Sequence, residues 1–180
     1  MLYPQSNACR DVIDLSGLWE FTIDPDRRGE PGQWYRTGLP HRVDIAVPAS
    51  WNDQFPGGEL FGQDMRHYLS AAWYQTRFFV PAGWSDRRVW LRIGAANYRA
   101  NVWLNGTLLG AHEGGFLPFE FEVSETVACG KLNLLTILVD VELSADTVPQ
   151  GLPGLVDNYP PVTFDFFPYG GLHRPVKLYT

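Results

Sequence analysis

Hydrophobic and polar residues alternate along this chain in several short runs. In "WEFTI", Trp19, Phe21 and Ile23 fall on one face and Glu20 and Thr22 on the other. "FEFEV" sets Phe119, Phe121 and Val123 against Glu120 and Glu122. "LLTILVDVEL" sets Leu135, Ile137, Val139, Val141 and Leu143 against Thr136, Asp140 and Glu142. A period of two is the signature of a strand with one buried face. "AAWYQTRFFV", "RVWLRI" and "YRANVWL" add further strand-like runs, and no long segment has a 3.6 period. Turn residues punctuate the runs. Asn105-Gly106 suits the positive φ values of a type I′ hairpin, "FVPAGW" and "VACGK" are breaks, and "SETVACG" is good for one helical turn at most. The pattern predicts an all-β antiparallel sandwich or barrel.

Three long stretches lack periodicity: residues 25–42, 50–71 and 144–163. Loops of that length on a compact sandwich carry function or pack against something. Large rings also fall on nominally polar faces, Trp90 opposite Val89 and Leu91, and Trp103 opposite Val102 and Leu104. Two explanations follow: a second buried face covered by another domain, or strands buried on both faces.

Composition narrows the classes. The 180 residues suffice for one domain with a sizeable core. Aromatics make up 14% and include seven Trp, an excess that favours strands and apolar surface. The formal net charge of −6 argues against a nucleic-acid partner, which needs a basic patch. Cys9 and Cys129 are too few for a disulfide framework and read as unpaired thiols. The first fifteen residues lack a basic stretch followed by an apolar one, and no apolar run approaches the ~20 residues of a membrane span. The expectation is a soluble, cytoplasmic protein without membrane contact.

Most catalytic motifs are missing. There is no G-x-S-x-G, and Gly57-Gly58 and Gly114-Gly115 lack the strand-to-helix setting of a phosphate loop. His41, His67, His112 and His173 are not spaced as metal ligands, so no metal or other cofactor is expected. The sequon Asn105-Gly106-Thr107 is explained by the hairpin. Glu120 with Glu122, and Asp140 with Glu142, read as solvated strand faces rather than an acid/base pair. Asp165 differs, because Phe164, Phe166 and Phe167 flank it. A carboxylate among rings needs a partner: Arg174, a backbone amide or a sugar hydroxyl. It is either a sugar-contacting group or a structural residue capping the turn at Tyr169 to Gly171. Trp51, Trp73, Trp84 and Tyr68 are either a stacking platform for sugar or core.

Four blocks carry a resemblance: "AVPASWNDQF", "WYQTRFFVPAGW", "VWLNGTLLGAHEGGFLPFEFEVS" and "FDFFPYGGLHRPVKLYT". In this order they resemble the amino-terminal domain of family 2 glycoside hydrolases, and "WNDQF" with "DFFPYGGLHR" resembles the β-glucuronidase branch. The resemblance runs from about Asp14 to Thr180, leaving residues 1–13 as an arm. It implies a jelly-roll β-sandwich of the galactose-binding-like type, followed in the family by an immunoglobulin-like domain and a (β/α)8 barrel. The barrel carries the two catalytic glutamates of a retaining mechanism, so this chain alone is expected to be inactive. The resemblance implies that Asp165 reaches the barrel's sugar pocket, with Phe164, Phe166, Tyr169, Gly170, Gly171 and Arg174 supporting its loop. It further implies a β-glycoside as ligand of the whole enzyme, the missing domains as partners, and homo-oligomers as an option. A stand-alone carbohydrate-binding module or a structural, assembly role is the alternative. Pro168, Gly170 and Phe164 depart from the usual motif residues and bear on which sugar, glucuronide or galactoside, is accepted. Residues 59–70 read as a loop peculiar to this chain.

Overall fold

The computed structural model describes residues 3–55, 59–148, 150 and 168–180. In chain order the strands begin with β1 Val12–Asp14, β2 Gly17–Ile23, β3 Val43–Val47, β4 Ala49–Ser50, β5 Glu59–Leu60 and β6 Gln63–Asp64. They continue with β7 Ala71–Phe79, β8 Trp90–Asn97, β9 Arg99–Leu104, β10 Thr107–Glu113, β11 Phe119–Glu122, β12 Leu132–Asp140 and β13 Gly171–Tyr179. Among the described residues, two single-turn α-helices, α1 Trp34–Thr37 and α2 Trp51–Gln54, and a 3-10 turn at Ala82–Trp84 interrupt the loops.

The strands form the expected antiparallel β-sandwich. One sheet runs β1-β13-β8-β11, with β4 added beside β13, and the other runs β10-β9-β12-β7-β2-β3. β5 and β6 make a small separate hairpin. The alternating runs put their apolar faces between the sheets. Trp19, Phe21, Leu135, Ile137 and Val139 from one sheet meet Leu91, Ile93, Val176 and Leu178 from the other in one core. Fully burying each such side chain contributes roughly 1.5–3 kcal/mol. The Asn105-Gly106 turn takes φ values of 52° and 79°, as a type I′ turn needs, and joins β9 to β10. The Asn105 carbonyl side chain also accepts from Leu134 N at 2.9 Å, fixing the hairpin to β12.

The rings on polar faces have a local explanation. The outer face of the six-stranded sheet carries Trp73 and Trp103, and residues 29–39 of the same chain fold over them. Leu39, Trp73 and Trp103 form a second small core, with Trp34, Tyr35 and Leu138 packed against it. Strands β7, β9 and β12 are therefore buried on both faces by the chain itself. Asp24 holds this cover down. Its buried carboxylate accepts from Arg28 N (2.7 Å), Gly29 N (2.8 Å) and Trp73 Nε1 (2.9 Å). Deeper in, Gln75 Nε2 donates to Thr136 Oγ1 at 2.8 Å and reaches Trp34 O at 3.3 Å. Thr136, expected on a solvated face, is buried there. Trp90 stays half-buried, with the Arg88 guanidinium over its ring.

The four acidic residues expected on solvated strand faces, Glu120, Glu122, Asp140 and Glu142, are ion-paired. Glu120 faces Arg92 across β11–β8 and bonds it at 2.6 Å, and Arg88 makes a two-pronged contact with Glu122. Arg27 grips Asp140 and Glu142 together, each at 2.6 Å.

Candidate functional site

Of the segment singled out in the sequence, the described residues begin at Pro168. Phe164, Asp165 and Phe166 lie outside the described residues. Tyr169, Gly170, Gly171 and Arg174 lie within them, at the point where the chain enters β13.

One peptide unit, Tyr169–Gly170, is held from both sides. Its carbonyl accepts from Asn97 Nδ2 at 2.6 Å, and its N–H donates to Asn52 Oδ1 at 2.8 Å. Both asparagines are buried, at 3% and 5% exposure. A buried backbone group left unpaired costs about 1–3 kcal/mol, so each contact is structurally demanding. The next carbonyl, Gly170 O, accepts from Ser50 Oγ at 3.0 Å and Trp51 N at 3.2 Å. The same Ser50 caps α2, its hydroxyl accepting from Asn52 N at 3.1 Å. An N-cap serine is favoured because it satisfies an otherwise orphaned helix amide.

Asn52 is anchored in turn. Its Nδ2 donates to Met65 O at 2.8 Å and reaches Arg66 O and Tyr68 O. Trp51 Nε1 donates to Tyr68 O at 3.1 Å. Residues 65–68, part of the loop expected to be peculiar to this chain, thus form the wall behind α2. Met65 is fully buried.

The two glycines are steric requirements. A Cβ on Gly170 would lie 2.0 Å from the Trp51 ring. Gly171 has φ +130°, and a Cβ there would meet Ala49 O at 2.9 Å. Only glycine lets the backbone pass this close at that φ.

Two side chains at the start of β13 complete the corner. His173 Nε2 lies 2.7 Å from Tyr169 O, so this carbonyl meets both Asn97 and His173. Burial pushes the imidazole pKa below its ordinary value, against the opposing pull of the Tyr169 carbonyl and Asp53. Arg174 Nη1 donates to Phe116 O at 2.9 Å and ties β13 to the segment after β10. Arg174 is therefore occupied by a main-chain acceptor in the described residues. Tyr169 as a residue is 46% exposed.

The sequence reading named the glycines, Tyr169 and Arg174 but missed Ser50, Asn52, Asn97 and His173. A signal for Asn97 was present: "AAN" closes a strand, and Asn is disfavoured in strands. The rings considered as a stacking platform, Trp51, Trp73, Trp84 and Tyr68, are all buried, at no more than 6% exposure. They are core. Among the described residues no three His, Cys, Asp or Glu side chains come together as a metal-binding group.

Comparison with known proteins adds the following. Residues 12–180 match the family model described as glycosyl hydrolases family 2, sugar binding domain. The chain is 40% identical over 187 residues to a beta-glucuronidase of Paenibacillus borealis, covering 99% of this chain and 30% of that protein. It is also 40% identical over 203 residues to the beta-glucuronidase of Homo sapiens, covering all of this chain and again 30% of the relative. Among solved structures, a β-glucuronidase from Ruminococcus gnavus in complex with D-glucuronic acid superposes with a TM-score of 0.89 at 35% identity. That match covers 99% of this chain and 31% of the other. The chain thus spans about 30% of the length of the relatives it matches.

Proposed function

The chain belongs to glycoside hydrolase family 2, as that family's sugar binding domain, and from this membership we propose that it serves a retaining β-glycosidase of the β-glucuronidase type as a non-catalytic domain. The hydrolytic carboxylates then belong to other parts of the polypeptide. The carboxylates paired in sequence here, Glu120 with Glu122 and Asp140 with Glu142, are all neutralised by arginines.

Asp165 is the residue this domain would lend to the sugar pocket, accepting hydrogen bonds from sugar hydroxyls. The observation that carries the reading is the doubly held Tyr169–Gly170 peptide. The backbone at Tyr169–Gly170 is fixed by two buried asparagines, a serine and a histidine. Ligand positioning requires a held support of this kind, and Asp165 precedes it by four residues in the sequence. A stand-alone module using the buried tryptophans as its platform is not supported, because those rings are inaccessible.

The test is made in the full-length enzyme carrying this domain. Asp165→Ala is compared with wild type on p-nitrophenyl β-D-glucuronide and β-D-galactoside. Loss of one or two charge-assisted hydrogen bonds should lower kcat/KM roughly 10- to 100-fold on the preferred sugar. Unchanged kcat/KM in a folded variant would make Asp165 a turn residue and the domain a scaffold.

A further inference from the structure

A groove crosses the outer face of the six-stranded sheet, away from the core and apart from the Tyr169–Gly170 corner. It consists of two adjoining open depressions of about 410 and 490 Å³. The first is floored by Ala71 and Leu138 and walled by Arg27, Arg99 and Asp140. The second is lined by Tyr35, Trp103, Thr107 and Leu108. Glu30 and Asn101 line both chambers, and Asn101 Nδ2 donates to Glu30 Oε1 at 2.9 Å at their junction.

We propose that this groove is a second carbohydrate site, taking a neutral oligosaccharide with one ring in each chamber. Three features select that ligand. First, the floor is apolar while the rim is polar, and a pyranose has an apolar C–H face and a hydroxyl edge. Tyr35 lies parallel to the buried Trp103, with centroids 5.1 Å apart and planes 6° apart, so the half-buried Tyr35 ring is held rigidly at the side of the second chamber. Second, the junction offers unused acceptors: Glu30 Oε2 and Asn101 Oδ1 have no partner among the described residues. Two acceptors at one constriction suit hydroxyl donors on either side of a glycosidic link. Third, the first chamber's guanidiniums are already matched. Arg27 is held by Asp140 and Glu142, and Arg99 by Glu113 at 3.2 Å. Asp24 and Glu30 line the same chamber, so its lining is net negative and disfavours an anionic ligand relative to a neutral one.

The proposal goes beyond the assignment of Asp165 and does not need it.

The experiment titrates the isotopically labelled chain with cellobiose, and with D-glucuronic acid as the anionic control, following amide shifts. The expected result is saturable shifts at residues 30, 35, 99, 101 and 107 with cellobiose, and weaker ones with the acid. Asn101→Ala and Glu30→Gln should each weaken cellobiose binding about tenfold, the loss of one hydrogen bond, with melting temperature unchanged. Asp165→Ala should leave the titration unaltered, which separates this site from the loop. Absence of saturable shifts, shifts confined to residues 169–174, equal or tighter binding of the acid, or indifference to both groove variants would overturn it.

Discussion

Asn52 and Asn97 hold opposite ends of one peptide: Asn52 Oδ1 accepts the Gly170 N–H, and Asn97 Nδ2 donates to the Tyr169 carbonyl. Removing either leaves a buried main-chain group without its partner. Asn52→Ala also frees the carbonyl of Met65, while Tyr68 O keeps the Trp51 indole N–H, so it should cost about 3 kcal/mol. That is roughly 10 °C in Tm for a domain of this size. Asn97→Ala should cost less, because His173 still faces the same carbonyl. In urea unfolding the double variant should be milder than the sum by about 1 kcal/mol, since both act on one unit. Strict additivity would mean that the two contacts are independent.

Gly170→Ala tests the steric side of the same corner. The added methyl meets the Trp51 ring, which is fully buried and packed against Phe21 and Tyr68. The ring has no free space to retreat into. Overpacking of this kind costs about 1–3 kcal/mol. Chemical denaturation would show the loss, and a variant as stable as wild type would contradict the tight packing described.

The cover over the outer face depends on Asp24. Asp24→Ala removes the acceptor for three donors, one of them the indole N–H of a fully buried Trp73. Destabilisation of about 3 kcal/mol is expected. Hydrogen exchange should rise most at residues 28–39, while the amides of β12, bonded to β7 and β9, keep their protection. A uniform rise along the chain would show that the cover and the core are one cooperative unit.

His173 gives the corner a pH dependence. Its folded pKa is depressed by burial, with Arg174 adding to that shift while Asp53 and the Tyr169 carbonyl oppose it. A group with a lowered folded pKa leaves stability intact above its unfolded value, about 6.5 for histidine. Stability then falls as pH drops from there through the folded pKa, because the unfolded chain binds the proton more readily. Thermal melts of wild type and His173→Gln between about pH 7.5 and 5 should show the wild-type advantage shrinking on acidification. A constant gap would assign the acid sensitivity elsewhere.

Much of the fold was legible as period-two alternation. Trp19, Phe21 and Ile23, and Leu135, Ile137 and Val139, sit in the core as their spacing required. The Asn105-Gly106 turn was readable because few residue pairs tolerate two positive φ values. The outer layer was not readable. Trp73, Gln75, Trp103 and Thr136 are buried by residues 29–39, a segment with no period of its own. The corner was half readable. Its glycines stand out in sequence, but their anchors Asn52 and Asn97 are 118 and 72 positions away from the groups they hold. No local pattern encodes a partner at that distance.

Strand β13 has a mechanical consequence. It lies inside its sheet, between β1 and β8, rather than on an edge. Its first residue, Gly171, adjoins the clamped peptide, and Thr180 just beyond its far end exchanges two hydrogen bonds with Asp11. At about 3.3 Å per residue its nine residues make a rod of about 30 Å. A rod laced along both sides resists sliding. A pull or twist applied at residue 180 would reach the Tyr169–Gly170 peptide as a rigid displacement rather than being absorbed on the way.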